Sequence, residues 1–150
     1  MVLRTGALLA VGAAAVPLTG CGLLDRDEPS PPPDPLEPLV GESRALAARY
    51  RAAIAADPGL TDRLTPIADA HTAHADELRR LIGRPEPTGS ATPSPTVAGG
   101  GRAALLTELR TAEQSGRDNA TKACADAPGD RAALLGSIAA ARATHLEALK

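Results

Sequence analysis

The chain has 150 residues, 43% of them hydrophobic and 23% charged, and carries a formal net charge of −2 at pH 7. Aromatic residues make up only 1%, with one Tyr, no Phe and no Trp. Base stacking needs interleaved aromatics and phosphate binding needs a basic excess, so nucleic acid is not an expected partner. The 14 Pro and 14 Gly are clustered, which confines the folded part to less than the full length.

The first 20 residues (MVLRTGALLAVGAAAVPLTG) place one Arg at position 4 before an apolar run from Ala7 to Val16, followed by small residues. The run is too short for a permanent membrane span, which needs about 20 apolar residues, and it reads as an export signal. Its end, Leu18-Thr19-Gly20-Cys21, resembles the lipobox of bacterial lipoproteins. That resemblance implies cleavage between Gly20 and Cys21 and acylation of Cys21 by diacylglycerol and fatty acids such as palmitate. The expected location is the extracytoplasmic face of the cell membrane. Each buried methylene contributes about 0.8 kcal/mol, so several chains on one residue anchor stably. An acylated Cys21 leaves Cys124 without a disulfide partner, and Cys124 reads as a small helical core residue.

Residues 21–38 carry Pro at 29, 31, 32, 33, 35 and 38 and read as a stiff, extended tether. The domain is expected over 39–150, interrupted at 85–101 by a second Pro, Ser, Thr and Gly-rich stretch (PEPTGSATPSPTVAGGG) that reads as a linker or long crossover. The blocks on either side are rich in Ala, Leu, Arg and Glu and show helical periodicity. In the first, Leu46, Tyr50, Ala53 and Ile54 mark one face before a break at Asp57-Pro58-Gly59. Leu60, Leu64, Ile67, His71, His74, Leu78 and Leu81 follow at helical spacing. In the second, Leu106, Leu109, Glu113, Gly116, Ala120 and Ala123 precede a break at residues 127–130, after which Leu135, Ile138, Arg142, His145 and Leu149 recur. An offset of 71 superposes Leu64, Ile67, Ala70, His74 and Leu78 on Leu135, Ile138, Ala141, His145 and Leu149, and Glu42 on Glu113. The expectation is an all-α four-helix bundle made of two helical hairpins with a long crossover, arising from an internal duplication.

The informative residues are polar ones on the apolar seams: His71 and His74 in the second helix, Arg142 and His145 in the fourth. Burial there requires partners. Counted from the turns, Glu42, His74, Glu113 and His145 fall at matching heights, which predicts convergence at one end of the bundle with His71 and Arg142 one turn deeper. Tyr50 reads as core, its hydroxyl reaching a polar neighbour.

These features resemble the ferritin-like superfamily, and more narrowly ferritin-like lipoproteins of GC-rich Gram-positive bacteria, over residues 41–150. In di-iron members two helices each supply a Glu and two supply Glu-x-x-His. Carried over, Glu42 and Glu113 match the single glutamates and His74 and His145 the motif histidines, whereas His71 and Arg142 stand where the motif glutamates belong. A guanidinium beside two iron ions argues against ferroxidase chemistry. Two arrangements remain. One is a metal site drawn from Glu42, His71, His74, Glu113 and His145, suited to Zn²⁺ or another first-row ion. The other is a metal-free network in which Arg142 pairs with Glu113 or Glu42 and the histidines bond the remaining carboxylate oxygens. A purely structural reading also stands, with Glu42 favouring a helix N-terminus and His145 a C-terminus.

No P-loop, nucleophile elbow or kinase signature is present in the sequence. The expectation is a membrane-anchored, non-catalytic binding or accessory module with a protein or small-ligand partner and no required cofactor. The alternative is a divalent-metal-binding protein.

Overall fold

A computed structural model describes residues 32–84 and 101–150. The helices are α1 (Glu37–Ala56), α2 (Thr61–Ile82), α3 (Arg102–Asp126) and α4 (Gly129–Ala148), with a 3-10 turn at Pro58–Leu60. Among the described residues there is no strand, and no helix is long and apolar enough to cross a membrane. The export signal, Cys21 and most of the tether and linker lie outside the described residues.

The compact unit begins at Pro33. It therefore takes in residues that composition assigns to the tether. The reason is local: Pro38 is tolerated in the first turn of α1, where an amide donor would have no intrahelical acceptor. Just before it, the Leu36 side chain is buried, and the Asp34 carboxylate accepts hydrogen bonds from the Leu36 amide at 2.9 Å and from Arg131 at 2.9 and 3.0 Å. At the other end of α1, Asp57 accepts from the Gly59 amide at 3.0 Å and forms a two-point ion pair with Arg102 at 2.7 and 3.0 Å, tying the first turn to the start of α3. Gly83 closes α2 with φ +67°, a conformation that costs L-residues a Cβ clash. Arg63 and Arg110 donate to the Ala148 and Leu149 carbonyls, placing cations on the negative end of α4.

Helix α1 packs mainly on α2 and α3 mainly on α4; the pairs meet through α1 with α3 and α2 with α4. Among the described residues, α1 and α4 make no direct backbone approach, nor do α2 and α3, so these pairs face each other across the diagonals of a four-helix bundle. The apolar core is split in two. One cluster joins Leu46, Tyr50 and Ala53 of α1 to Leu64 and Ile67 of α2, Leu106 and Leu109 of α3, and Leu149. The other joins Leu39 and Val40 of α1 to Ala75 and Leu78 of α2, Ala120 of α3, and Leu135 and Ile138 of α4. On every helix the polar seam residues fall between the clusters. They therefore converge near the middle of the bundle, correcting the expectation of one end: the apolar residues beyond them, Leu39 and Val40 of α1, Leu78 of α2, Ala120 of α3 and Leu135 and Ile138 of α4, form a second apolar layer that counting from the turns does not reveal.

Leu135 is fully buried, as is Leu64, its counterpart across the repeat. Truncation of either to Ala should cost about 2–5 kcal/mol in chemical denaturation. A loss below about 1 kcal/mol at both positions would contradict the split core.

Candidate functional site

Glu113 lies at the centre of the polar layer, and its side chain has no solvent exposure. A buried carboxylate must be solvated by protein donors. Three are supplied: the Tyr50 hydroxyl donates to Oε2 at 3.0 Å, His71 Nε2 to Oε2 at 3.0 Å, and His145 Nδ1 to Oε1 at 2.9 Å. An ionised carboxylate only accepts, so each imidazole must carry its proton on the nitrogen that faces Glu113.

The second buried charge is Arg142, also without exposure. Its Nη1 donates to Glu42 Oε1 and, at 2.6 Å, to the Gly116 carbonyl; its Nη2 donates to the Ser43 hydroxyl at 2.9 Å. Asn119 Nδ2 donates to Glu42 Oε2 at 2.5 Å. Glu42 is about a quarter exposed and closes the layer on the α1–α3 side. His74 stands at the edge, its ring centroid 5.9 Å from His71 and 6.3 Å from His145. The His71 and His145 rings are 5.0 Å apart and roughly perpendicular. All three histidines of the protein thus lie in one cluster.

The structure brings Glu113, His71 and His145 into contact, puts His74 beside them and pairs Glu42 with Arg142. Among the described residues, the hydrogen bonds that Glu42 accepts come from Arg142 and Asn119 and not from a histidine. Three members of the layer were not singled out as polar-site residues by sequence reasoning. Ser43 lies three residues before Leu46 and seven before Tyr50, so its seam position was legible. Gly116 was legible only as a seam residue, and nothing in the pattern marks Asn119. Gly116 has a steric role, because a Cβ there would stand 2.7 Å from Arg142 Nη1 and 3.1 Å from Glu42 Oε1.

Electrostatics follow from burial and pairing. Burial alone would raise the Glu113 pKa, but the hydrogen bonds from His145 and His71 reverse this and bring it to about 2. Burial lowers His71, against the opposing pull of Glu113. Burial and the neighbouring cationic groups lower His74 to about 4. Burial, with the Glu113 charge and hydrogen bond, raises Tyr50, which stays a neutral donor.

One donor atom each from His71, Glu113 and His145 lie within 4.8 Å of one another, so these three side chains could hold a metal ion. His71 Nδ1 and His74 Nδ1 are buried without a hydrogen-bond partner. A di-iron centre does not fit, because it needs carboxylates bridging two cations, and the layer offers two carboxylates, one of them already paired with a guanidinium. Bordering the layer, a groove of about 650 Å³ is lined by Leu36, Leu39, Ala123, Ala127 and Pro128, with Glu42 and Asn119 of the layer and the charged Lys122, Asp126 and Arg131 on its wall. Cys124 is a half-buried free thiol that donates to the Ala132 carbonyl at 3.3 Å. No protein-family model, curated protein or solved structure matches this chain.

Two predictions follow from this geometry. Because His71, His74 and Glu113 all bind protons less readily when folded, the unfolded state takes up protons first as pH falls. The stability they provide is complete above about pH 6.5, declines as His74 is traversed toward about 4, and is lost further below 4.5 as Glu113 approaches about 2. The melting temperature should therefore fall from pH 7 to pH 4, and His74→Gln should flatten that decline; a flat wild-type profile by calorimetry would contradict it. Gly116→Ala should destabilise by about 1–3 kcal/mol, since the guanidinium it displaces is buried and fixed by three acceptors. An unchanged denaturation midpoint would show that Arg142 can yield.

Proposed function

We propose that this protein is an exported lipoprotein, held at the extracytoplasmic face of the cell membrane by lipid on Cys21, whose ferritin-like domain of two helical hairpins serves as a non-catalytic binding or accessory module. The anchor rests on Leu18-Thr19-Gly20-Cys21 following an apolar run. The observation that carries the non-catalytic reading is the engagement of the buried charges: both oxygens of Glu113 and both terminal nitrogens of Arg142 are taken up by partners inside the chain. Charges so engaged stabilise the layer and position its members. The order of the seam residues along each helix supports the ferritin-like arrangement. Helices α1 and α4 run from the Val40 cluster to the Leu46 cluster and α2 and α3 run the reverse, so α2 and α3 are parallel and need a long connection. The groove between α1 and α3 is the surface best suited to a protein or small-molecule partner.

A second reading is favoured by one specific observation. The cluster of His71, Glu113 and His145 has the donor set of a divalent-metal site, so the ligand of the module is a first-row ion held in the bundle.

Cys21→Ala should move the protein from the membrane to the soluble fraction and abolish incorporation of labelled palmitate. Unchanged partition would refute the anchor. Elemental mass spectrometry of the purified protein checks the second reading, for which Zn²⁺ or another first-row ion should be present in proportion to protein.

A further inference from the structure

The two carboxylates of the polar layer occupy equivalent places in the two halves of the chain but are neutralised differently. The offset of 71 that carries Glu42 onto Glu113 also carries His71 onto Arg142. Exchanging the halves therefore converts the contact of Glu42 with Arg142 into the contact of Glu113 with His71, and both contacts are present. One crosses the α1–α4 diagonal and the other the α2–α3 diagonal. At Glu42 the cation is permanent, because a guanidinium does not lose its proton. At Glu113 the described contacts include no permanent cation: its partners are a phenol and two imidazoles, and the hydrogen bonds of Arg142 go to Glu42, Ser43 and the Gly116 carbonyl.

We propose that the layer takes up a single divalent transition-metal ion, on Glu113, His71 and His145, and that Arg142 is the fixed substitute for a second ion at Glu42. This rests on the metal-binding reading above and adds its stoichiometry and the residue that sets it. A tetrahedral ion with bonds of about 2.1 Å keeps its donors about 3.4 Å apart. The Glu113 contacts of 3.0 Å at Oε2 and 2.9 Å at Oε1 would open by about 0.5 Å, and the widest spacing of the triangle, within 4.8 Å, would close by up to about 1.4 Å, a rearrangement of side chains alone. Each imidazole moves its proton to the opposite ring nitrogen when the facing one binds metal, and in His71 that opposite atom, Nδ1, is buried and bare. His74, with a bare Nδ1 of its own, is the remaining imidazole beside the triangle. Imidazole and carboxylate together suit Zn²⁺ and Co²⁺. At Glu42 the same occupancy is blocked, since an ion there would have to displace the Arg142 charge from a pocket that Gly116 leaves open for it.

Titration of the full-length protein in detergent with Co²⁺ and Zn²⁺, followed by calorimetry and by the visible bands of bound Co²⁺, tests this. Wild type should bind one equivalent, Glu113→Gln none, and Arg142→His, which gives both halves the same Glu and His pair, two. Helical circular dichroism checks each variant. One equivalent in Arg142→His, or two in wild type, would overturn the role given to Arg142 while sustaining the metal-binding reading. No uptake by wild type or Arg142→His would overturn both. Should Arg142→His fail to fold, Glu42→Gln decides: retention of the single equivalent supports the assignment to Glu113, and loss equal to that of Glu113→Gln overturns it.

Discussion

The constraint on which this structure turns is that two opposite charges, Glu113 and Arg142, are fully buried at mid-height in a bundle made largely of Ala and Leu. Desolvating either without compensation would cost several kcal/mol, a large share of the stability of a domain this size. The arrangement of the layer follows from meeting that cost. Long side chains on α4 and α2 reach across the two diagonals, where helix backbones do not touch, and find their acceptors on α1 and α3. Because the diagonals cross at the centre, the two bonds lie near one another. Tyr50 and Ser43 supply the donor and acceptor that remain. The polar layer thereby bridges the two helix pairs, whose backbones approach one another less than the helices within each pair do.

A layer of this kind also sets register. Two apolar clusters of similar Leu and Ala content would tolerate a shift of one helix pair against the other by a turn, since Ala and Leu offer little shape to resist it. A shift of one turn would instead part Arg142 from Glu42 and Ser43, and Glu113 from His71 and Tyr50, leaving buried charges short of partners. Removal of one partner of such a pair costs more than the pair contributes to stability, so the layer penalises misalignment more than it strengthens the aligned state. The single Tyr fits here too: in a chain with no Phe or Trp, the one large ring is spent where its hydroxyl completes the solvation of Glu113 and its face meets His71 at 5.3 Å.

Much of this was legible in the residues. Helical spacing identified all four helices and both turns, and the offset of 71 identified the equivalent polar positions, because seam residues interrupt a periodic pattern and are visible against it. The partners were less so. Which carboxylate meets Arg142 depends on which helices lie diagonal to each other, a tertiary fact with no local signature. Height in the bundle was misjudged for a related reason: distance from a turn gives the level shared by two helices but not how much core lies beyond it, and Leu36 extends the second cluster past the expected start of the domain. Gly116 illustrates a third limit, since its role is the absence of a Cβ against an arginine from another helix.

The asymmetry between the halves then has a physical meaning. If an ancestral repeat carried one acidic and one imidazole seam residue, a symmetric dimer of repeats would bury two carboxylates and balance them only by protonating imidazoles or by binding cations, each sensitive to conditions. Replacement of one seam position by Arg142 makes half of that balance permanent. On the metal-binding proposal it would also remove a binding position, since a guanidinium held by Glu42, Ser43 and the Gly116 carbonyl is not readily displaced. The other half keeps groups that, on that proposal, would exchange a proton for a metal. One carboxylate is committed to holding the bundle together, and the other, with His71 and His145 on its two oxygens, keeps a donor set that could hold an ion.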